Sequence, residues 1–491
     1  MRKVKEEQTK LGQVNIAEIK FDLKSRDEIP KLLMGLQYIY CNPEYRVPIF
    51  KILDEMLPKG IDINKGRPGM SYWKILVLGT LRLNCNWDYD KVKEIADNHI
   101  TLRQMLGHGI EDETTKYPLQ TIRDNISLFT PEILNKINEV VVKAGHNLLK
   151  KKEEKLKGKC DSFVVETDVH YPTDINLLLD AMKKIIILVF RLCELVGLCG
   201  WRQYKHILKK VKKLYRRAQK STNSYKKSKR KKECKKKEKQ EAHKKYVSEC
   251  AKIMKEAKET IEATPEFEIK VIAIIYEIKR YIAHGERQIE QIVRRVLNDE
   301  KIPHEEKVFS IFEEHTEWIS KGKAGVPQEL GLNVCVIEDQ YRFILYHEVM
   351  EKITDVEIAV PITEKVLGIY PNLSVISYDK GFYSPQNKID LQKKIEEVIL
   401  PKKGKLLKEE REYENSKNFR ELRRKHAAVE SGINALENHG LDRCCDHGIM
   451  GFKRYVALAV LGRNLQNLGN IIYEKKKKLK KHEMEKRKRV A

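Results

Sequence analysis

Residues 160–170, Cys-Asp-Ser-Phe-Val-Val-Glu-Thr-Asp-Val-His, interrupt the helical character of the sequence around them. β-Branched and aromatic side chains cluster there without helical periodicity, which predicts a strand. A strand needs partners for its backbone N–H and C=O groups, and strand signals return only far downstream. LNVCVIE and YRFILYH (332–346), joined at Asp339-Gln340, predict a hairpin. LSVISYD (373–379) and EEVILP (396–401) predict two more short strands. DVEIAVPITEKVLGIY predicts a helix before them, and NFRELRRKHAAVESGINALEN (418–438) one long helix after them. A long helical block, about 175 to 305, separates the first strand from the rest. The order implies a mixed α/β core interrupted after its first strand by an all-helical insertion. At 491 residues the chain has material for two or three domains.

Ahead of the first strand, residues 1–150 read as all-helical. SYWKILVLGTLRLN (71–84) carries apolar residues at helical spacing, a break follows at Asn84–Asp88, and DYDKVKEIADN and TLRQMLG predict two more helices. Short helices joined by tight breaks suit a helix-turn-helix that reads DNA, with Lys91, Lys93 and Arg103 as contacts, or a plain helical bundle. The charge favours a polyanionic partner: 96 Lys+Arg against 71 Asp+Glu leave a formal +25. The densest run, YKKSKRKKECKKKEKQEAHKKY, reads either as a basic arm along phosphates or as a solvated helical tip. Amphipathic helices flank it and are expected to pair as a hairpin. The tail, 471–491, reads as a basic, fraying end.

No segment approaches the ~20 apolar residues that cross a bilayer. IIILVF (185–190), bounded by Lys184 and Arg191, reads as a buried helix stripe. The first residues, MRKVKEEQTK, lack the apolar core of a secretory leader. Ten Cys without framework spacing suit reduced thiols and a cytoplasmic setting. Cys444 and Cys445 lie near His439 and His447, at spacings that match no zinc pattern.

Several acids occupy positions that can carry chemistry. Asp379 ends an apolar strand, shares a face with Val375 and Ser377, and precedes Gly381, where α/β sheets place ligands or where an Asp caps a turn. Glu430 sits mid-helix beside the apolar stripe Leu422, Val429, Ile433 and Leu436, either leaning over the sheet or paired with Arg423 or Lys425. Asp161, Glu166, Asp168 and Asp174 crowd the first strand. Alternation puts Asp161 and Asp168 on opposite faces, so one site takes only one of them. Carboxylates converging from strands and a helix suit a pair of hard divalent cations and in-line phosphoryl transfer.

CDSFVVETDVHYPTDINLLLDA, YDKGFYS, HAAVESGINALENHGLDRC and HTEWISKGKAGVPQELGLNV (315–334) together resemble bacterial DDE-type insertion-sequence transposases, most of all the ISNCY-type group. The resemblance spans most of residues 70–470. It implies a ribonuclease-H-like catalytic core of residues 155–175 and 325–470, interrupted by a Lys-rich insertion of residues 176–324. It also implies two Mg²⁺ ions, with Mn²⁺ substituting, and cutting and joining at the ends of a mobile element. Residue by residue, it places the first acid at Asp161 in Asp161-Ser162-Phe163, with Asp168 as the alternative because Phe163 departs from the pattern. The second falls on Asp379 and the third on Glu430. His426 and Glu437 stand where the family has DNA-contacting Arg and Lys. The implied partners are double-stranded DNA, both transposon inverted repeats and target, and further copies of the chain, a homodimer or larger. The implied location is the bacterial nucleoid. Two other readings fit the same features: a decayed transposase that only binds nucleic acid, and a metal-dependent nuclease without strand transfer.

Overall fold

The computed structural model describes residues 3–5, 12–56, 69–109, 112, 114–149, 155–222, 229–265, 268–320 and 328–490. The chain divides into two compact units, residues 1–168 with 319–491, and residues 169–318.

The first unit opens with α1 (Ile29–Cys41), α2 (Pro43–Asp54), α3 (Tyr72–Asn84), α4 (Tyr89–Asn98), α5 (Ile100–Met105), α6 (Leu119–Ile126) and α7 (Pro131–Leu148). Every residue of α3 is buried, which accounts for its nearly unbroken apolar run. After the expected break, Asp88 caps α4 by accepting from the Lys91 N–H, so that helix starts where the polar run ends. β1 (Leu156–Thr167) follows. The second unit then supplies α8 (Asp174–Val196), α9 (Tyr204–Thr222), α10 (Lys229–Glu262) and α11 (Ile269–Ile292). The chain continues through β2 (Glu317–Ser320), β3 (Gln328–Glu338), β4 (Ile344–Met350), α12 (Asp355–Ile369), β5 (Leu373–Tyr378), α13 (Pro385–Gln392) and β6 (Glu397–Ile399). It closes with α14 (Lys408–Asn415), α15 (Lys417–His426), α16 (Ala428–Leu436), β7 (Arg443–Cys444) and α17 (Gly448–Val490).

The mixed sheet runs β2-β3-β1-β5-β6, with β4 beside β3 and β7 beside β1. β1 is the hub: it is antiparallel to β3 and parallel to β5 and β7. The predicted hairpin forms, and Asp339 builds its turn by accepting from the N–H groups of Tyr341 and Phe343. The first strand and the strands that return after the insertion therefore lie in one sheet, as the sequence pattern implies.

Three features differ from expectation. The N-terminal helices are not a compact unit of their own. α1, α3 and α7 pack on α17, and one apolar cluster runs from Leu32 through Leu134 and Val334 to Leu465. Gly35 and Gly469 face each other across α1 and α17, where a Cβ on either would meet the other helix's backbone. The basic tail is helical and continues α17, whose buried half from Phe452 to Leu468 nucleates a helix that Lys and Glu readily extend. Residues 418–438 form two helices that bend at Ala427. Phe419 and Leu422 of α15 bury against Ile399 and Val375, whereas Leu436 of α16 joins the main core.

In the second unit the expected hairpin widens to four helices. α8 pairs with α11 and α9 with α10 around a core that includes Ile185, Ile186, Val211, Tyr246 and Ile278. IIILVF lies within α8 and contributes Ile185, Ile186, Leu188 and Val189 to that core.

Candidate active site

The site is built on the register of β1 and β5. Cys160 pairs with Tyr378, the last residue of β5. Asp161 and Asp379 each follow one of these two, so they leave adjacent parallel strands side by side. Asp379 is exposed and heads the short turn Lys380–Phe382. Glu430 lies in the first turn of α16, not mid-helix as the sequence suggested, because the chain bends at Ala427. Gly432, one half-turn on, allows α16 to seat close to β3: a Cβ there would lie 2.2 Å from Glu338 Oε2. Glu338 is itself buried and is paired with Lys159 at 3.2 Å.

These acids share one electrostatic field. Burial pushes the Asp161 carboxyl up to about 6, and the negative charges of Asp379, Asp355 and Glu430 push the same way. The Ser162 N–H opposes them by donating to Asp161 Oδ1 at 2.8 Å. Among the described residues no cation forms an ion pair with Asp161, Asp355, Asp379 or Glu430. Lys425, one partner expected for Glu430, pairs with Glu421 at 2.7 Å.

Asp168 lies elsewhere. It follows the far end of β1, is exposed, and faces Arg443 at 3.8 Å. Asp174 belongs to the second unit and pairs with Arg295. Of the two alternatives for the first acid, Asp161 is therefore the one that meets the others.

Asp355 was not anticipated. It begins α12, and its Oδ1 accepts from Ser162 Oγ at 2.6 Å. Its Oδ2 lies 3.1 Å from where a Cβ on Gly381 would stand. The Thr-Asp pair before an apolar helix reads as a capping signal, and Thr354 does cap α12 with Glu357. That local reading hides the long-range one.

His426 is half-buried, with Nδ1 hydrogen-bonded to Ser377 Oγ at 3.0 Å. Burial lowers its pKa to about 4 despite the Asp379 charge, so the imidazole is neutral near pH 7. It fastens α15 to β5 instead of offering a cation to DNA. Glu437 is half-buried and opens the wider turn Glu437–Leu441. Lys91 and Lys93 lie on α4, paired with Glu94 at 2.8 Å and Asp97 at 2.9 Å. Arg103 must be withdrawn as a DNA contact. It is buried, and its guanidinium donates to the carbonyls of Ala96, Asp97, Asp112 and Thr115, which no sequence periodicity reveals. Part of the Lys-rich run (225–228) and part of the 315–334 stretch (321–327) lie outside the described residues.

All ten cysteines are free thiols. Among the described residues no helix is long and apolar enough to cross a membrane. The four acids form a charge cluster rather than a closed ligand shell: among the described residues no group of three or more His, Cys, Asp or Glu is drawn together tightly enough to hold a metal ion. No protein-family model, curated protein or solved structure matches the chain.

Proposed function

We propose that the chain is a DNA transposase of the DDE type, cutting and joining transposon ends by divalent-cation-assisted phosphoryl transfer on a ribonuclease-H-like core. The observation that carries this is the meeting of Asp161, Asp379 and Glu430 from β1, the end of β5 and α16 in one field, across 218 and 51 residues of sequence. The sheet is compatible with such a core, since its central β1 has an antiparallel hairpin on one side and parallel strands on the other. The donor type suits the implied ions, because carboxylate oxygens without a cationic partner are what Mg²⁺ takes, while the arrangement described is more open than a closed ligand shell. Asp161, Asp379 and Glu430 would hold them, with Asp355 adjoining.

Bound there, two Mg²⁺ would supply Lewis acidity at water or a 3′-hydroxyl and neutralise charge on the scissile phosphate. The residues of the chain do the positioning. Ser162 fixes Asp161 Oδ1, the Gly381 turn presents Asp379, and the bend at Ala427 turns the first turn of α16 toward the sheet. No Ser or Tyr nucleophile is assigned, because this chemistry needs no covalent protein–DNA intermediate.

The test is incubation of the full chain with Mg²⁺ and a duplex carrying the DNA that flanks its gene, followed by analysis for nicks and joined ends. Cleavage with joining supports the transposase. Cleavage without joining, even from a pre-cut 3′-OH end, makes it a nuclease. Binding with neither makes it a decayed nucleic-acid-binding protein.

A further inference from the structure

The densest run of lysines is not the least compensated one. α10 interleaves Glu with its Lys. Within the dense run Glu233, Glu238 and Glu241 are interleaved, and Lys236 pairs with Asp299 and Lys245 with Glu241; beyond it Lys252 pairs with Glu256, Lys255 with Glu259 and Lys258 with Glu286. α9, Tyr-Lys-His-Ile-Leu-Lys-Lys-Val-Lys-Lys-Leu-Tyr-Arg-Arg-Ala-Gln-Lys-Ser-Thr, contains no acid at all.

At helical spacing, Lys209, Lys212, Lys213, Arg216, Arg217 and Lys220 fall within about 140° of arc and about 17 Å of axis. All six are exposed, and among the described residues none forms an ion pair. Val211 and Ala218 are buried on the opposite side, and Tyr215 hydrogen-bonds Asn176 of α8, so the basic face is turned away from the bundle. Four i,i+4 pairs on it are like-charged, 209/213, 212/216, 213/217 and 216/220, and each destabilises the isolated helix. An uncompensated stripe of this kind complements a rod of regularly spaced negative charge.

We infer that the exposed face of α9 is a docking surface for the phosphate backbone of duplex DNA, and that it, more than the ion-paired lysines of α10, carries the non-specific part of DNA affinity. The occupant follows from charge and shape. Duplex DNA presents one charge per about 1.7 Å of axis, and a straight stripe of cations can follow it. The inference rests on the nucleic-acid reading of the chain but not on cleavage.

The experiment measures affinity for a mixed-sequence duplex against salt. It compares full-length wild type with the quadruple variant Lys209→Gln, Lys213→Gln, Arg216→Gln, Lys220→Gln. Each lost phosphate contact lowers the slope of log K against log salt by about 0.9, so a fall of about 3 to 4 is expected. A matched control, Lys245→Gln, Lys252→Gln, Lys255→Gln, Lys258→Gln on α10, should move the slope by less than about 1. Lys209→Arg, Lys213→Arg, Lys220→Arg should keep the wild-type slope, which separates charge from folding. An unchanged slope in the α9 variant, or an equal fall in the α10 control, overturns the inference. So does loss of binding to phosphatidylserine vesicles with DNA binding intact, which would make the face a membrane contact. A protein that never cleaves DNA yet shows the α9-specific slope loss sinks the transposase reading and leaves this one standing.

Discussion

Ser162 Oγ donates to Asp355 Oδ1 at 2.6 Å while the Ser162 N–H donates to Asp161 Oδ1 at 2.8 Å, so one residue links two acids from different elements. The link fixes the start of α12 against β1 and brings Asp355 in as a third carboxylate, with Asp379 and Glu430, in the field around Asp161. Asp355→Asn keeps an acceptor for Ser162 and removes only the charge. The Asp161 carboxyl, followed by carbon NMR, should then titrate lower than in wild type. An unchanged midpoint would mean that Asp355 lies electrically outside the site.

Asp161 carries a stability cost that depends on pH. Its folded-state value, about 6, lies above the ordinary 3.8, so the folded state holds the proton more tightly than the unfolded chain. The stabilisation from this proton is complete below about pH 4 and lost as pH rises toward 6. Asp161→Asn should therefore be more stable than wild type at pH 7.5, by roughly 1–3 kcal/mol at 1.36 kcal/mol per pH unit, and no more stable at pH 4. Denaturant midpoints at the two pH values check this. A gain equal at both would point to packing instead of charge.

Gly432 sets the approach of α16 to the sheet. A methyl group there meets Glu338 Oε2 at 2.2 Å, and Glu338, 3% exposed and held by Lys159, has little room to retreat. Gly432→Ala should cost about 1–3 kcal/mol in chemical denaturation. A neutral result would show that α16 sits farther from β3 than described.

Gly469 makes the corresponding test for the N-terminal helices. A Cβ would lie 1.8 Å from the Lys31 carbonyl oxygen of α1, which is backbone and cannot swing away. Gly469→Ala should lower the melting temperature of the unit holding α1 and α17, with a cost of about 2 kcal/mol or more. If α1 and α17 belonged to separate domains, the substitution would leave that temperature unchanged.

What could be read from the sequence follows physical lines. β1, the 332–346 hairpin and β5 announce themselves by runs of Val, Ile and aromatic residues, and Asp379 by its place at the end of such a run. The bend at Ala427 was hidden because no Gly or Pro marks it; two separate apolar clusters pull the helix apart instead. Asp355 was hidden by its local role near a helix start, and Arg103 by the habit of arginines to face water. The packing of α1, α3 and α7 on α17 depends on contacts at least 300 residues apart in sequence, such as Gly35 with Gly469, which no local pattern encodes.

The proposed reaction centre takes Asp161, not Asp168, together with Asp379 and Glu430. The direct measurement is the rate of Mg²⁺-dependent cleavage of end-bearing DNA by wild type, Asp161→Asn and Asp168→Asn, each first shown to bind that DNA. A loss of at least about 100-fold is expected for Asp161→Asn, with a near-wild-type rate for Asp168→Asn. Equal rates for wild type and Asp161→Asn, or the larger loss in Asp168→Asn, would contradict it.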